Sequence, residues 1–180
     1  MAKKNDEAVV VTAVRNNRKS IHLEWTKGTD EYSVTFHDNP LPSFYKALDG
    51  LNAHVCSLCE FAAKDAEKIS STGITVREKG ENSVALIVAR KKIRKGKRVF
   101  NIATPLLAMY PSDDPEEKSL DHMDEDQAGA IEKVIKEAIK YIAGERAQGQ
   151  IQFEEEPKPS KDADDKTTPF PGMEEPAAKS

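Results

Sequence analysis

Two segments with alternating side chains, separated by a turn, constrain the fold of this chain more than any other feature of its sequence. Residues 21–26 and 32–37 each place an apolar side chain at every second position, and the Lys-Gly-Thr-Asp between them is typical of a turn. An alternation with this period is the signature of a strand with one buried face. The sequence therefore predicts a β-hairpin and, with it, an antiparallel sheet that has a core on one side.

Further strand and helix patterns follow on both sides of this hairpin. Short β-rich or apolar runs predict strands at 8–14, 74–76, 84–89 and 99–103. The run 84–89 is continuously apolar, which predicts a central strand buried on both faces. Apolar residues at three- and four-residue spacing predict helices at 44–62 and 125–147.

Together these patterns predict an α+β fold. The sheet is expected to be largely antiparallel and to contain about six strands, in the order β-β-β-α-β-β-β-α with two helices. The simplest layered arrangement packs both helices on one face of that sheet.

The composition of the chain changes sharply near Gly149. The last 30 residues hold eight acidic residues, four lysines and five of the ten prolines. Such a segment cannot bury enough apolar surface to offset the entropy lost on ordering it. We therefore expect a flexible N-terminus at 1–7, a single α+β domain at 8–149 and a disordered acidic, proline-rich tail at 150–180.

Composition also excludes several classes of protein. No apolar run approaches the ~20 residues of a membrane-spanning helix, and the first seven residues are too polar for a secretion signal. Two cysteines within one predicted helix give no disulfide framework. We therefore expect a cytoplasmic protein that does not enter the membrane.

The sequence offers no catalytic constellation. It lacks the short motifs of serine hydrolases, phosphate-binding loops, dinucleotide-binding folds and zinc proteases. Cys56 and Cys59 form a Cys-x-x-Cys without a second ligand pair, and we expect Cys59 on the apolar stripe and Cys56 on its flank. The acidic block 113–126 offers carboxylates to Mg²⁺, but it includes a helix start, where acids are expected anyway. We predict a non-enzymatic protein without metal or cofactor.

A basic block is the most informative surface feature. Seven of the nine residues at 90–98 are positively charged: Arg90, Lys91, Lys92, Arg94, Lys95, Lys97 and Arg98. The block is predicted to form the turn between two strands, where an anionic partner relieves the repulsion between like charges. Nucleic-acid phosphates suit this role because each neutralised phosphate releases counterions. The alternatives are a solvated turn that blunts an edge strand, and internal pairing of the basic block with the acidic block 113–126.

Aromatic residues supply candidates for base stacking. Trp25 and Tyr32 lie among the apolar residues of the predicted hairpin, so core packing is the first expectation for both. At a sheet edge, Trp25, Tyr32 and Phe100 would instead form a platform on which single-stranded bases stack.

The tail resembles the acidic tip of bacterial and phage single-stranded DNA-binding proteins. The matching residues are Asp162-Ala163-Asp164-Asp165 and Thr168-Pro169-Phe170. In that family an acidic run ends in Pro-Phe and recruits replication partners; here ten residues follow the Phe, and Lys166 interrupts the acidity. The resemblance implies that Asp164, Asp165, Pro169 and Phe170 contact a protein partner. A tail that only keeps the protein soluble is the alternative.

The body of the chain is similar to small uncharacterised bacteriophage and prophage proteins. The similarity rests on Ser71-Thr72-Gly73-Ile74-Thr75-Val76, on Val84–Arg90 and on Phe100-Asn101-Ile102-Ala103-Thr104-Pro105 before an acidic helix. Some of those proteins are encoded among replication and recombination functions, which implies the cytoplasm of a host cell and a role in DNA replication or recombination.

The sequence thus predicts a non-enzymatic accessory protein of phage type that binds single-stranded nucleic acid, DNA first. The seven basic residues would contact phosphates, and Trp25 and Tyr32 would stack on bases. The alternative is a protein–protein interaction module, an adaptor or inhibitor of a host factor, that uses its acidic surfaces. Unpaired edge strands also allow a homodimer.

Overall fold

The predicted hairpin lies at one edge of a seven-stranded antiparallel sheet in the computed structural model of the protein. The structure describes residues 8–17, 19–79, 82–93, 96–111 and 121–147. The strands are β1 (Val9–Asn16), β2 (Ile21–Lys27), β3 (Asp30–Phe36), β4 (Ile69–Lys79), β5 (Asn82–Ile93), β6 (Arg98–Ala103) and β7 (Leu107–Ala108). Their order is β3-β2-β1-β4-β5-β6, and β7 pairs with the first part of β5. The α+β class and the antiparallel sheet are confirmed.

More helices than the two expected accompany this sheet within the described residues. They are α1 (Pro42–Gly50), α2 (Asn52–Leu58), a 3₁₀-helix (Ala63–Lys68) and α3 (Glu125–Ile142). The helix predicted at 44–62 is therefore broken directly after Gly50. Leu51 is fully buried at the break, and the Asn52 side chain accepts hydrogen bonds from the backbone N and the Oγ of Ser71, both at 2.8 Å. The first residue of α2 is thereby attached to β4.

Both long helical segments end before their predicted limits, because a residue in the left-handed region stops each one. Glu60 has φ 55°, and the N–H of Phe61 donates to the carbonyl of Cys56 at 2.8 Å, which closes the end of α2. Gly144, with φ 101°, plays the same part after α3 ends at Ile142. Both ends follow the common hydrogen-bond pattern of helix C-termini.

The core lies between the helices and one face of the sheet. Its fully buried members come from strands and helices alike: Val14, Leu23, Ile74, Ile87, Phe44, Leu48, Ile131 and Val134. Along β5 buried and half-buried residues alternate, so this strand is not buried on both faces as predicted. We call the covered side the helix face and the other side the open face.

Gly73 brings two central strands of the sheet into close approach. It pairs with Arg15 of β1, and the β4–β5 register shifts between Ser71 and Gly73. A Cβ atom at Gly73 would lie 1.8 Å from the carbonyl oxygen of Val14. Glycine is therefore required here by the proximity of the neighbouring backbone.

Polar contacts fix both ends of α3. The hydroxyl of Tyr141, which is buried, donates to the backbone oxygen of Asp38 at 2.6 Å. Arg146 donates from Nε to the Asp38 carboxylate, and its guanidinium lies 3.7 Å above the Tyr141 ring. At the other end, Asp124 caps α3 through reciprocal hydrogen bonds with Gln127. Because neither end is left to fray, α3 is held firmly over the core.

All described residues belong to one compact unit, 1–148. The predicted N-terminus at 1–7 and tail at 150–180 fall outside the described residues. Among the helices that the structure describes, none is both long enough and apolar enough to cross a membrane.

Candidate nucleic-acid interface

The basic block belongs mostly to a long hairpin of β5 and β6 rather than to a turn. Strand β5 continues to Ile93 and β6 begins at Arg98. The prediction that the whole of 90–98 forms the turn is wrong, because β4 continues to pair with β5 as far as Lys91. Each basic residue within a strand therefore has a fixed side of the sheet.

The alternation of β5 sends neighbouring cations to opposite faces. Ala89 is a core residue on the helix face, so Lys91 points to that face while Arg90 and Lys92 point to the open face. Val99 of β6 pairs with Lys92 and therefore shares the open face with it. The block is thus divided into two groups with different surroundings.

Lys91 is neutralised by a carboxylate from the helix face. Its ammonium lies 2.9 Å from Oδ2 of Asp65 and 3.8 Å from the centre of the Phe61 ring, and its side chain is only 15% exposed. Lys68 contacts the other Asp65 oxygen at 2.7 Å. Lys91 is therefore paired internally, with Asp65 in the 3₁₀-helix, whereas most of the acidic block 113–126 lies outside the described residues. Lys91 is a structural residue and is not available to a ligand.

The paired carboxylate of Asp65 is expected to make stability depend on acid pH. Hydrogen bonds from Lys68 and Lys91 lower its pKa to about 2. Since the folded pKa lies below the unfolded value of about 4, this contribution is present above about pH 4 and is lost as pH falls toward 2. The free energies of unfolding of the native protein and of Asp65→Asn, measured in urea, should differ near neutral pH and become equal in acid. Parallel curves across this range would contradict the assignment.

The other described cations of the block have no acidic partner among the described residues. They are Arg90, Lys92, Lys97 and Arg98, and we call them the cationic rim. Lys97 follows Gly96, whose φ of 83° forms the turn, while Arg94 and Lys95 lie outside the described residues. Within the described part of the chain, the rim places positive charge near the tip of the hairpin with no carboxylate paired to it.

A small polar pocket lies beneath two of these cations. Arg90, Lys92 and Val99 line it together with Asn16 of β1 and with Ser70, Ser71 and Thr72 of β4. Its volume is about 130 Å³, room for about four waters. None of the described residues that line it is acidic. The pocket therefore offers the guanidinium of Arg90, the ammonium of Lys92 and the hydroxyl of Ser70 to an anion, whereas the Thr72 hydroxyl donates to the carbonyl of Val88 at 3.2 Å.

The structure does not bring Trp25 and Tyr32 to the basic hairpin. Trp25 lies on β2 and Tyr32 on β3, at the opposite side of the sheet from β6. Trp25 is buried, and the two rings stack on each other with centres 5.3 Å apart. The neighbouring cavity is lined by Glu24 and Glu31, which repel phosphates. The predicted platform with Phe100 is therefore not assembled, because Phe100 lies on β6.

Several other predicted sites fall outside the described residues. These are the tail residues Asp164, Asp165, Pro169 and Phe170, and the part of the acidic block at 113–120. Of the block's remaining acids, Asp124 serves as the cap of α3. Within the described ranges, no three His, Cys, Asp or Glu side chains are grouped to hold a metal ion.

The cysteines show the reverse of the predicted burial. Cys56 is buried in the core, whereas Cys59 at the end of α2 is only partly covered. Burial raises the pKa of the Cys59 thiol, and the neighbouring Cys56 adds to the effect. A raised pKa disfavours the reactive thiolate, so the pair has the character of packing residues.

Sequence reasoning missed three contributors to this region: Asp65, Ser70 and Thr72. Asp65 lies 26 positions before Lys91, and no local pattern links the two. The β4 residues could have been found from the alternation of a strand that begins at residue 69, but only 74–76 carried an apolar signal strong enough to predict it.

No protein-family model matches the chain, and neither a curated protein nor a solved structure matches it significantly.

Proposed function

We propose that the protein binds single-stranded nucleic acid through the cationic rim, with a phosphate held in the pocket beneath Arg90 and Lys92. The observation that carries the proposal is this pair of cations on the open face beside the Ser70 hydroxyl, without a carboxylate among the described lining residues. Phosphate oxygens accept hydrogen bonds from all of these donors. A flexible single strand can lower one phosphate into the pocket, which a rigid duplex does less easily.

The proposed interface contains fewer residues than the interface predicted from the sequence. Lys91 is excluded because Asp65 neutralises it, and Trp25 and Tyr32 are excluded because they lie at the other sheet edge. Without a platform for base stacking, we expect contacts to the phosphate backbone of the nucleic acid to dominate. Such contacts position a strand but carry little sequence information, so the binding is expected to be weakly sequence-specific and sensitive to salt.

The double variant Arg90→Gln/Lys92→Gln is expected to bind a labelled single-stranded oligonucleotide about 10- to 30-fold more weakly near 0.1 M salt, because each lost phosphate contact costs about fivefold there. The slope of log K against log salt should become shallower by about 1.4. Fluorescence anisotropy at several salt concentrations measures both quantities.

Two matched variants make this test specific. Lys46→Gln/Lys133→Gln removes the same charge from exposed lysines on the helix side, and Lys91→Gln removes a paired cation of the block itself. Neither should change affinity by more than about twofold, since neither removes a proposed phosphate contact. Equal losses in all three variants, or tighter binding to a duplex, would contradict the proposed interface.

A further inference from the structure

Strand β6 presents an open edge with little protection. It pairs with β5 on one side, and among the described residues no strand pairs with its other side. The segment Val99–Ala103 carries no charge, and Val99 and Phe100 are 53% and 58% exposed. Natural proteins commonly blunt such edges with charge, proline or a covering segment. An uncharged and apolar edge of this kind is a surface for adding another strand.

The hydrogen-bond pattern shows which backbone groups of β6 point outward. The N–H of Thr104 donates to the carbonyl of Ile87 at 3.0 Å, so these residues form a hydrogen-bonded pair. In an antiparallel ladder hydrogen-bonded and non-hydrogen-bonded pairs alternate. The alternation directs the N–H and C=O groups of Val99, Asn101 and Ala103 away from β5. These three residues are evenly spaced and symmetric about Asn101.

We propose that β6 pairs with β6 of a second copy of this chain, antiparallel, across a two-fold axis at Asn101. In this register Asn101 faces its own copy and Val99 faces Ala103, so all outward groups find partners. Phe100 packs across Ile102 of the second copy on the helix face. The sheet then continues through both copies.

The distribution of charge favours the antiparallel arrangement of the two copies. The positive charge at β6 lies at one end, in Arg98, its first residue, and in Lys97 just before it. Antiparallel pairing about Asn101 puts the two Arg98 residues about 20 Å apart along the strands, more than a Debye length at physiological salt. A parallel arrangement would put them side by side. Strand addition proceeds in the plane of the sheet, so it leaves the open face uncovered and does not depend on nucleic-acid binding.

Sedimentation of the full chain from low to high micromolar concentration tests the proposal, and a monomer–dimer equilibrium is expected. Asn101→Pro removes the central pair of hydrogen bonds and should raise the dimer Kd about 30-fold. Circular dichroism of this variant checks that the fold is kept. A monomer throughout the range, or polymers growing without limit through the β3 edge, would overturn the two-fold dimer.

A cysteine variant tests the register without relying on the proline variant. Hydrogen-bonded partners have Cα atoms about 5.5 Å apart, within the range that disulfides span. Mild oxidation should therefore link Asn101→Cys into covalent dimers. Ser33→Cys, at the centre of the exposed opposite edge strand, and the native protein with Cys56 and Cys59 serve as controls and should stay unlinked. A stable dimer in which Asn101→Cys fails to link would overturn the β6 interface.

Discussion

Replacing Gly73 with alanine is expected to destabilise the protein by about 3 kcal/mol or more, because overpacking against a backbone that cannot move aside is among the costliest single changes. The added Cβ would lie 1.8 Å from the carbonyl oxygen of Val14 and 2.8 Å from its carbonyl carbon. Val14 is fully buried, so relief requires β1 and β4 to separate at the centre of the sheet. Urea denaturation monitored by circular dichroism measures the loss.

Gly129→Ala provides the matched control for this substitution. Gly129 lies inside α3, and a Cβ there would meet nothing within 4 Å. The same chemical change should therefore stabilise the protein, by up to about 1 kcal/mol, because alanine favours the helix over glycine. Opposite signs at the two positions are expected. A neutral Gly73→Ala would show that β1 and β4 are not in close approach.

Replacing Tyr141 with alanine is expected to cost about 3–5 kcal/mol, the range for removing a large buried aromatic side chain. Its ring packs against Phe36, with centres 4.9 Å apart, and against Phe44 at 6.0 Å. Tyr141→Phe keeps these contacts and removes only the hydroxyl that donates to Asp38, so it should cost about 1 kcal/mol. Chemical denaturation of both variants separates the ring from the hydroxyl. Equal costs would contradict this partition.

The same residue predicts how stability changes in alkali. Burial, together with the hydrogen bond to Asp38, raises the pKa of Tyr141 to about 12. The unfolded phenol ionises near pH 10, so the stabilisation is complete below about pH 10 and is lost as pH rises toward 12. Tyr141→Phe should reduce this alkaline loss. Tyr110, whose pKa the hydrogen bond to Glu132 also raises to about 12, should account for part of what remains.

Much of the sheet could be predicted because its signal is local. The alternation at 21–26 and 32–37 is carried by neighbouring residues, and β2 and β3 form at those positions. The break after Gly50 could not be predicted, because the apolar stripe continues through it and the anchor is Ser71 on a distant strand. The end of α2 was equally hidden, since its left-handed residue is Glu60 where glycine is the usual signal.

The candidate site shows the same division between local and distant information. The seven positive charges were visible in the sequence, and so was the hairpin that carries them. Which of these charged side chains are exposed depends on which face of β5 packs against the 3₁₀-helix. That face is set by the packing of Ala89 and by the position of Asp65, both of which depend on tertiary structure. Composition alone therefore could not show that Lys91 is paired internally.

The interleaving of Lys91 with Arg90 and Lys92 has a consequence for how such a protein can change over evolutionary time. Alternate positions of this strand are under different constraints. The side chain at position 91 must match the carboxylate of Asp65, whereas the side chains at 90 and 92 face the pocket on the open face. Substitutions at the outward positions can change the charge of the open face without disturbing the scaffold, and under the proposed function they would change the affinity for nucleic acid. Substitution of the inward lysine removes a partner of Asp65 and therefore acts on stability, so the two classes of mutation are separable within three consecutive codons.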